Sequence, residues 1–268
     1  MMLQRSPAGR LYGRHKDTPD SRDKVLRLPV TPITAHDESA WLGPVRDQQA
    51  EGSCVGHGWA GHADWLFRKY GPHHFALNLS PQFVYYKCRE LDGTLPDDAG
   101  SEVRSGAKVF NQFGIAPESD MIYGMDTMNT PPTAQAMTDA MLYKGGAYHR
   151  LLTLADMKSC LAGPEPYCFV DGIEVYESFE SEAVADSGEV PMPDIRKEKS
   201  LGGHCTLTFG YDDEHVCADG SIGALHKRNS WGQSWGQEGN FWLPYGFVTQ
   251  GLLTDAWILH LGKAWKAL

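Results

Sequence analysis

The chain has 268 residues, with 24 Lys and Arg set against 34 Asp and Glu, a formal charge of −10 and a pI near 5.5. That shortage of cations, with no long basic run, excludes a principal partner held by phosphate neutralisation, so nucleic acid is not expected. Hydrophobic content of 41% and charged content of 22% suit a globular chain of one large or two small domains, and no stretch approaches the roughly 18 apolar residues of a membrane span.

Residues 1–44 read as an extended strap: polar, punctuated by Pro7, Pro19, Pro29, Pro32 and Pro44, and without helical periodicity. The first residues are basic but lack the apolar core of a secretory signal. Cys54 to Tyr70 predicts a buried helix, with Val55, Trp59, Leu66 and Phe67 among small residues and a stop at Gly71-Pro72. Its glycines are poor helix formers and imply close approach of a neighbouring backbone. Ser80-Pro81 predicts an N-cap and first-turn proline for a second helix to about Glu90. Ser101 is the expected cap of a third, with Val103, Ala107, Val109 and Phe110 as its stripe and Gly114 as its stop. Thr133 and Thr153 are expected to cap two shorter helices. Further on, residues 167–175, 204–211, 222–228, 240–243 and 254–261 read as short strands. Residues 177–203, with two prolines and several charges, read as a polar surface loop or insertion. Helices first and strands second is the α+β pattern, with a cleft between a helical lobe (45–147) and a β-rich lobe (148–268).

Six cysteines, at 54, 88, 160, 168, 205 and 217, are too sparse for a disulfide scaffold, and none forms a C-x-x-C pair. With no signal segment in view, this favours a reducing compartment. Cys54 follows Gly52-Ser53 at a helix N-terminus, where free N–H groups and the helix dipole favour thiolate and make a nucleophile. The alternative is a buried structural thiol. His204 follows Gly202-Gly203 and opens an alternation with Cys205, Leu207 and Phe209 on one parity. Asn229 opens the run Asn-Ser-Trp-Gly-Gln-Ser-Trp-Gly ending at Gly236; its carbonyl could accept from an imidazole N–H, with a tryptophan shielding the bond. His57 and His62, five apart, fall on different helical faces, and no H-E-x-x-H occurs, so no metal or cofactor is expected. His73-His74 is expected in an exposed turn, and Cys160 and Cys168 could pair around a short loop.

Gln48 stands six residues before Cys54 in Val45-Arg46-Asp47-Gln48-Gln49-Ala50-Glu51-Gly52-Ser53-Cys54. With the order Gln, Cys, His, Asn and the fragment N-S-W-G-x-x-W-G, the chain resembles the papain-like cysteine peptidases from about residue 45 to 261. The resemblance implies a two-lobed papain-like fold, with a helical left lobe and an antiparallel β-barrel right lobe. It implies a thiolate–imidazolium pair of Cys54 and His204, oriented by Asn229, with the Gln48 amide and the Cys54 N–H at the oxyanion. It puts Trp231 over the His–Asn contact, Trp235 on the leaving-group side, and Gly52, Ser53, Gly100, Ser101 and Gly203 along the substrate. Gly203, Glu102 and Val103 would shape the second subsite, with Asp255 near its base; two carboxylates there would favour a basic or polar side chain, unless both face solvent. The Pro19-Asp20-Ser21-Arg22-Asp23 strap and the long loop before His204 look most like prokaryotic or viral members.

Departures are plain. Against C-G-[SA]-C-[WY], Glu51 replaces the first cysteine and Val55 the aromatic residue, so the usual disulfide cannot form. His204 and Asn229 follow Cys54 by 150 and 175 residues, against roughly 130–150 in the family. A long inhibitory pro-segment is missing or reduced to the strap, which is expected to stay attached in the active form. The expected activity is endopeptidase hydrolysis of a polypeptide substrate, with a protein inhibitor as a second partner class and no membrane. The expected location is cytoplasmic, or exported or particle-associated by another route. Two rivals stay open: a catalytically silent papain-fold binding or structural protein, and a Cys–His acyl transferase or deamidase.

Overall fold

The computed structural model describes residues 3, 5–71 and 77–261; Pro72 and the His73-His74 pair lie outside the described residues. In chain order the elements that position the site are β1 (Arg14–His15), β2 (Ala35–Asp37), α1 (Cys54–Tyr70), α2 (Pro81–Asp92), β3 (Ser101–Glu102), α3 (Val103–Gln112), α4 (Ala134–Ala140), β4 (Gly145–Leu151), α5 (Leu154–Ala162), β5 (Phe169–Tyr176), α6 (Glu182–Ser187), β6 (Ser200–Val216), β7 (Ile222–Arg228), β8 (Asn240–Pro244), α7 (Gly246–Thr249) and β9 (Leu253–Leu261). Among the described residues β4-β9-β5-β6-β7-β8 form one antiparallel sheet, and β2 adds to β6.

The helical lobe is built on α1. Trp59, Trp65 and Phe67 are fully buried with Phe83 of α2 and Phe110 of α3. The glycines of α1 mark where other backbone comes close. A methyl at Gly56 would sit 2.5 Å from the Pro81 carbonyl, and one at Gly58 would sit 3.0 Å from both Cys205 Sγ and Val170 Cγ1. Helix α1 therefore lies directly on β5 and β6 along a seam that side chains would widen. Behind it, the even-numbered face of β6 carries Thr206 and Thr208 to a buried ion pair: Lys227 Nζ donates to both Asp171 oxygens, at 2.7 and 2.6 Å, and to Thr208 Oγ1 at 2.6 Å. Asp171 and Lys227 side chains are wholly buried, so each needs the other.

The β6–β7 hairpin turns through Asp219 and Gly220, where Asp219 accepts from Ser221 N–H and Gly220 takes φ +80°. Its register pairs Leu207 with Arg228, which delivers Asn229 alongside the start of β6.

Three local expectations need correction. Ser101 is not a helix cap. Its N–H donates to the Gly13 carbonyl at 2.7 Å and its hydroxyl to Asp92 at 2.5 Å, so it is held in β3 and the cap position falls to Glu102. Strand β4 was unforeseen because Gly145, Gly146 and His149 offer no apolar alternation; its pairing with β9 makes it, and it straddles the expected lobe boundary at 147/148. Residues 177–203 are not simply a surface loop: Phe179, Val184 and Val190 are buried, α6 is capped by Ser181, and β6 already begins at Ser200. Cys160 and Cys168 are both free; the Cys160 thiol donates to the Tyr167 carbonyl.

Because the seam tolerates no extra volume, Gly58→Val is expected to destabilise the fold by about 1–3 kcal/mol. Urea denaturation should show a lower midpoint with an unchanged slope.

Candidate active site

Cys54 is the first residue of α1 and is fully buried. The N-cap Ser53 makes no side-chain cap; its hydroxyl instead meets Tyr123 Oη at 2.8 Å and lies 3.4 Å from His57 Nδ1. Ser53 is thus part of the wall behind the helix start, and its side chain does not line the cleft. Backbone N–H groups of Cys205, Gly13 and Val55 lie against the Cys54 sulfur.

His204, fully buried on β6, places Nε2 2.8 Å from Asn229 Oδ1. The same oxygen accepts from Ser230 N–H at 2.8 Å, so two donors fix which end of the amide faces the ring. His204 is therefore protonated on Nε2 when neutral, and Nδ1 is buried without a hydrogen-bond partner. Trp231 stacks on the imidazole at 4.9 Å and 25°. Trp235 is buried too, edge-on to Trp231 and stacked on Phe179, so it props Trp231 and does not border an open cleft.

Gln48 is tied to this cluster from the other side. Its N–H donates to the Ser230 carbonyl at 2.8 Å, and its Oε1 accepts from Ser230 Oγ at 2.6 Å. Nε2 then points the other way and donates to the Glu51 carbonyl at 2.9 Å, leaving its second hydrogen for another acceptor. Ser230 thus clamps the Gln48 amide to the Asn229 turn. In the sequence it looked like spacing between Asn229 and Trp231.

The largest departure from expectation is the strap, which runs through the cleft. Gly13 lies where a methyl would meet the Gly52 carbonyl, and its own carbonyl accepts from Ser101 N–H. β1 pairs in parallel with β3, Arg14 opposite Ser101 and His15 opposite Glu102, and Gly13 bridges to Gly203. Methyls on Gly52, Gly100 or Gly203 would collide with Leu3, Gly13 or Arg14, so all three glycines face the strap. Tyr12 packs edge-on to His204 and donates to Glu180 at 2.6 Å, while Arg10 covers the outer face of Trp231 at 3.8 Å.

Closure sets the charge state. Burial drives the Cys54 thiol up to about 11 against the pull of its three N–H neighbours. Burial, with Arg10 and Lys227 nearby, drives His204 down to about 4 despite Asn229. Burial thus works against the charged form of each group in this closed arrangement, in the direction opposite to the thiolate–imidazolium pair that the resemblance implies.

Of the residues expected near the second subsite, Asp255 is buried and paired with Arg14 and Arg150, and Glu102 accepts from Thr18 N–H and Oγ1 and from Arg104. Val103 is buried with its carbonyl taken by Trp59. His57 bonds the Ser53 carbonyl and packs on Tyr123, and His62 bonds the Leu259 carbonyl, so each is spent separately. Among the described residues no three His, Cys, Asp or Glu groups stand together as metal ligands, and no helix is long and apolar enough to cross a membrane.

A buried cysteine at a helix start, a histidine oriented by an asparagine and a cleft between helices and an antiparallel sheet define a thiol-peptidase type of protein. A sequence profile described as papain family cysteine protease matches residues 32–256, and the chain belongs to that family. An uncharacterised peptidase C1-like protein of Acanthamoeba polyphaga mimivirus is 27% identical over 96% of this chain and 89% of its own. Xylellain, a cysteine protease from Xylella fastidiosa, superposes with a TM-score of 0.82 at 28% identity, covering 98% of this chain and 100% of its own. The procathepsin B S9 of Trypanosoma congolense shares the fold, with a TM-score of 0.71 at 18% identity, over 94% of this chain and 86% of its own.

Glu51, at the position of the missing cysteine, is 1% exposed; Gln82 is 3.4 Å from Oε1 and Oε2 has no partner. Burial and the nearby Asp98 carboxylate push its carboxyl up from 4.5 to about 8. The folded state therefore holds this proton more tightly than the unfolded chain, and stability falls as pH rises from about 4.5 to about 8. Glu51→Gln should remove that component. Melting temperatures across pH 4.5–8.5 should decline less steeply in the variant, with the largest gain over wild type at the alkaline end.

Proposed function

We propose that the protein is a cysteine endopeptidase, working through Cys54, His204 and Asn229 with Gln48 at the oxyanion, on polypeptide substrates. The observation that carries this reading is the tautomer lock. Asn229 engages Nε2, which leaves the partnerless Nδ1 to take the Cys54 proton, while the sulfur rests on the N–H of Cys205, the residue next to His204.

The strap must first lift. Once water and a peptide replace it, the desolvation that holds both groups neutral is relieved, and the proton moves from Cys54 sulfur to His204 Nδ1. The thiolate then adds to the scissile carbonyl. The oxyanion formed takes the Cys54 N–H and the free hydrogen of Gln48 Nε2, each donor worth about 3–4 kcal/mol in comparable sites. His204 returns its proton to the leaving nitrogen as the C–N bond breaks, which leaves a thioester on Cys54. Water, deprotonated by His204, hydrolyses that thioester and restores the thiol. If the strap stays attached in the active form, the residues over the cleft swing aside on the anchored remainder. The six free, buried cysteines fit a reducing compartment.

A silent binding protein is the second reading, favoured by the filled cleft. Iodoacetamide labelling followed by peptide mass mapping, and cleavage of an unstructured protein substrate, separate the two. The peptidase reading expects selective alkylation of Cys54 and cleavage abolished in Cys54→Ala and His204→Ala. Gln48→Ala should lower kcat by about 10²–10³ with little change in KM. Uniform labelling of several cysteines with no cleavage under any condition would support the silent reading.

A further inference from the structure

The peptide plane between Glu51 and Gly52 is held at both ends. Its carbonyl accepts from Gln48 Nε2 at 2.9 Å, and its N–H donates to both oxygens of Asp98 at 3.1 Å. Gly52 permits that approach, since a methyl there would sit 2.9 Å from Asp98 Oδ1. A peptide unit is planar and stiff, so a shift at its N–H end turns its carbonyl end as well. The Gln48 amide thus has two anchors. Ser230 holds its Oε1 from the Asn229 turn, and the Glu51–Gly52 plane holds its Nε2. The direction of the remaining Nε2 hydrogen therefore depends on Asp98, 46 residues beyond Gly52 in the chain.

Asp98 is itself fixed by one face of α2. Gln82, Tyr85 and Arg89 are spaced three and four apart, so they share that face. The Tyr85 hydroxyl donates to Asp98 Oδ1 at 2.5 Å and accepts from Gly100 N–H at 3.0 Å. Arg89 lies over the Tyr85 ring at 4.5 Å and donates to the Asp97 carbonyl at 3.2 Å, which holds the backbone next to Asp98. Gln82 reaches the Glu51 side chain. Helix α2 is seated in turn against the helix that carries Cys54, because Gly56 lets α1 approach the Pro81 carbonyl.

Resting on the peptidase reading, we propose that Asp98 is a positioning residue for the oxyanion site: by holding the Gly52 N–H it aims the Gln48 amide at the oxygen of the scissile carbonyl. Asp98 touches no reacting atom in this role and acts through the Glu51–Gly52 plane and Gln48. A misplacement of about 1 Å in such a group can cost about 10²-fold in rate.

The test is a double-mutant cycle on the full chain, read with a fluorogenic peptide. Asp98→Ala should lower kcat by about ten- to a hundredfold with KM little changed. Asp98→Asn, which keeps an oxygen for the Gly52 N–H, should lose less. In the Gln48→Ala background Asp98→Ala should cost less than about twofold more, because the two residues act in series. Tyr85→Phe removes a support of Asp98 and leaves its carboxylate in place; it should lower kcat in the same direction, and it guards against misfolding of Asp98→Ala. A second readout needs no catalysis. The Gln48 side-chain amide, assigned in the nitrogen-15 spectrum as the pair missing from Gln48→Ala, should shift and exchange faster with solvent in Asp98→Ala. Losses that multiply in the double variant, a loss confined to KM, or an amide pair that neither shifts nor exchanges faster overturns the proposal. An amide pair displaced by Asp98→Ala in a chain whose unsubstituted form cleaves nothing would keep the positioning role and reject the peptidase reading.

Discussion

The close contact of helix α1 with strand β6 governs the rest of the molecule. Cys54 begins the helix and His204 lies near the beginning of the strand, so chemistry between them requires two different elements to meet within a side chain's reach. Glycine at 58 permits this by letting the helix rest on Cys205 and Val170. The strand is in turn stiffened from behind by the buried Asp171–Lys227 pair and Thr208. A buried pair of this kind adds little net stability, but losing either member is severe, so it fixes position more than it stabilises. Ser230 extends the same rigidity by binding Gln48 and the Asn229 turn into one unit.

The strap couples shape to charge. A cleft filled by Tyr12 and Gly13 buries Cys54 and His204 completely, and that burial pushes the thiol up and the imidazole down, each toward its uncharged form. The glycines at 52, 100 and 203 serve this arrangement because each admits a second backbone or side chain at a distance that any Cβ would forbid.

Much of this was legible in the sequence where a residue type has a local meaning. Helix α1 has the bounds that its composition and stop signal indicated, Ser80-Pro81 opens α2 and Thr153 caps α5 within a capping box. Hydrogen bonds link Gln48 through Ser230 and Asn229 to His204, residues that the sequence order had grouped with Cys54. What escaped was long-range. Nothing local tells that Ser101 will prefer the strap's carbonyl to a helix-capping role, that Glu102 will turn to Thr18 and Arg104, or that β4 exists before β9 is there to pair with it. Gly13 between Tyr12 and Arg14 was the available hint of the strap's path: a residue without a side chain flanked by two large ones implies a close crossing. The charges of Cys54 and His204 were unreadable in principle, because they depend on what covers them.

The route of the strap beyond the cleft has a further consequence. Thr18 and Asp23 are held by Glu102 and Arg104, Leu26 hydrogen-bonds to Arg150, and residues 35–37 form a strand of the main sheet. The part over Cys54 is therefore continuous with a segment that is woven into the fold. Such a tethered segment faces the cleft at an effective concentration set by its tether, of order millimolar for short flexible links, whatever the protein concentration. Dilution cannot relieve this closure; only a ligand that outcompetes the segment locally, or a break in the tether, can.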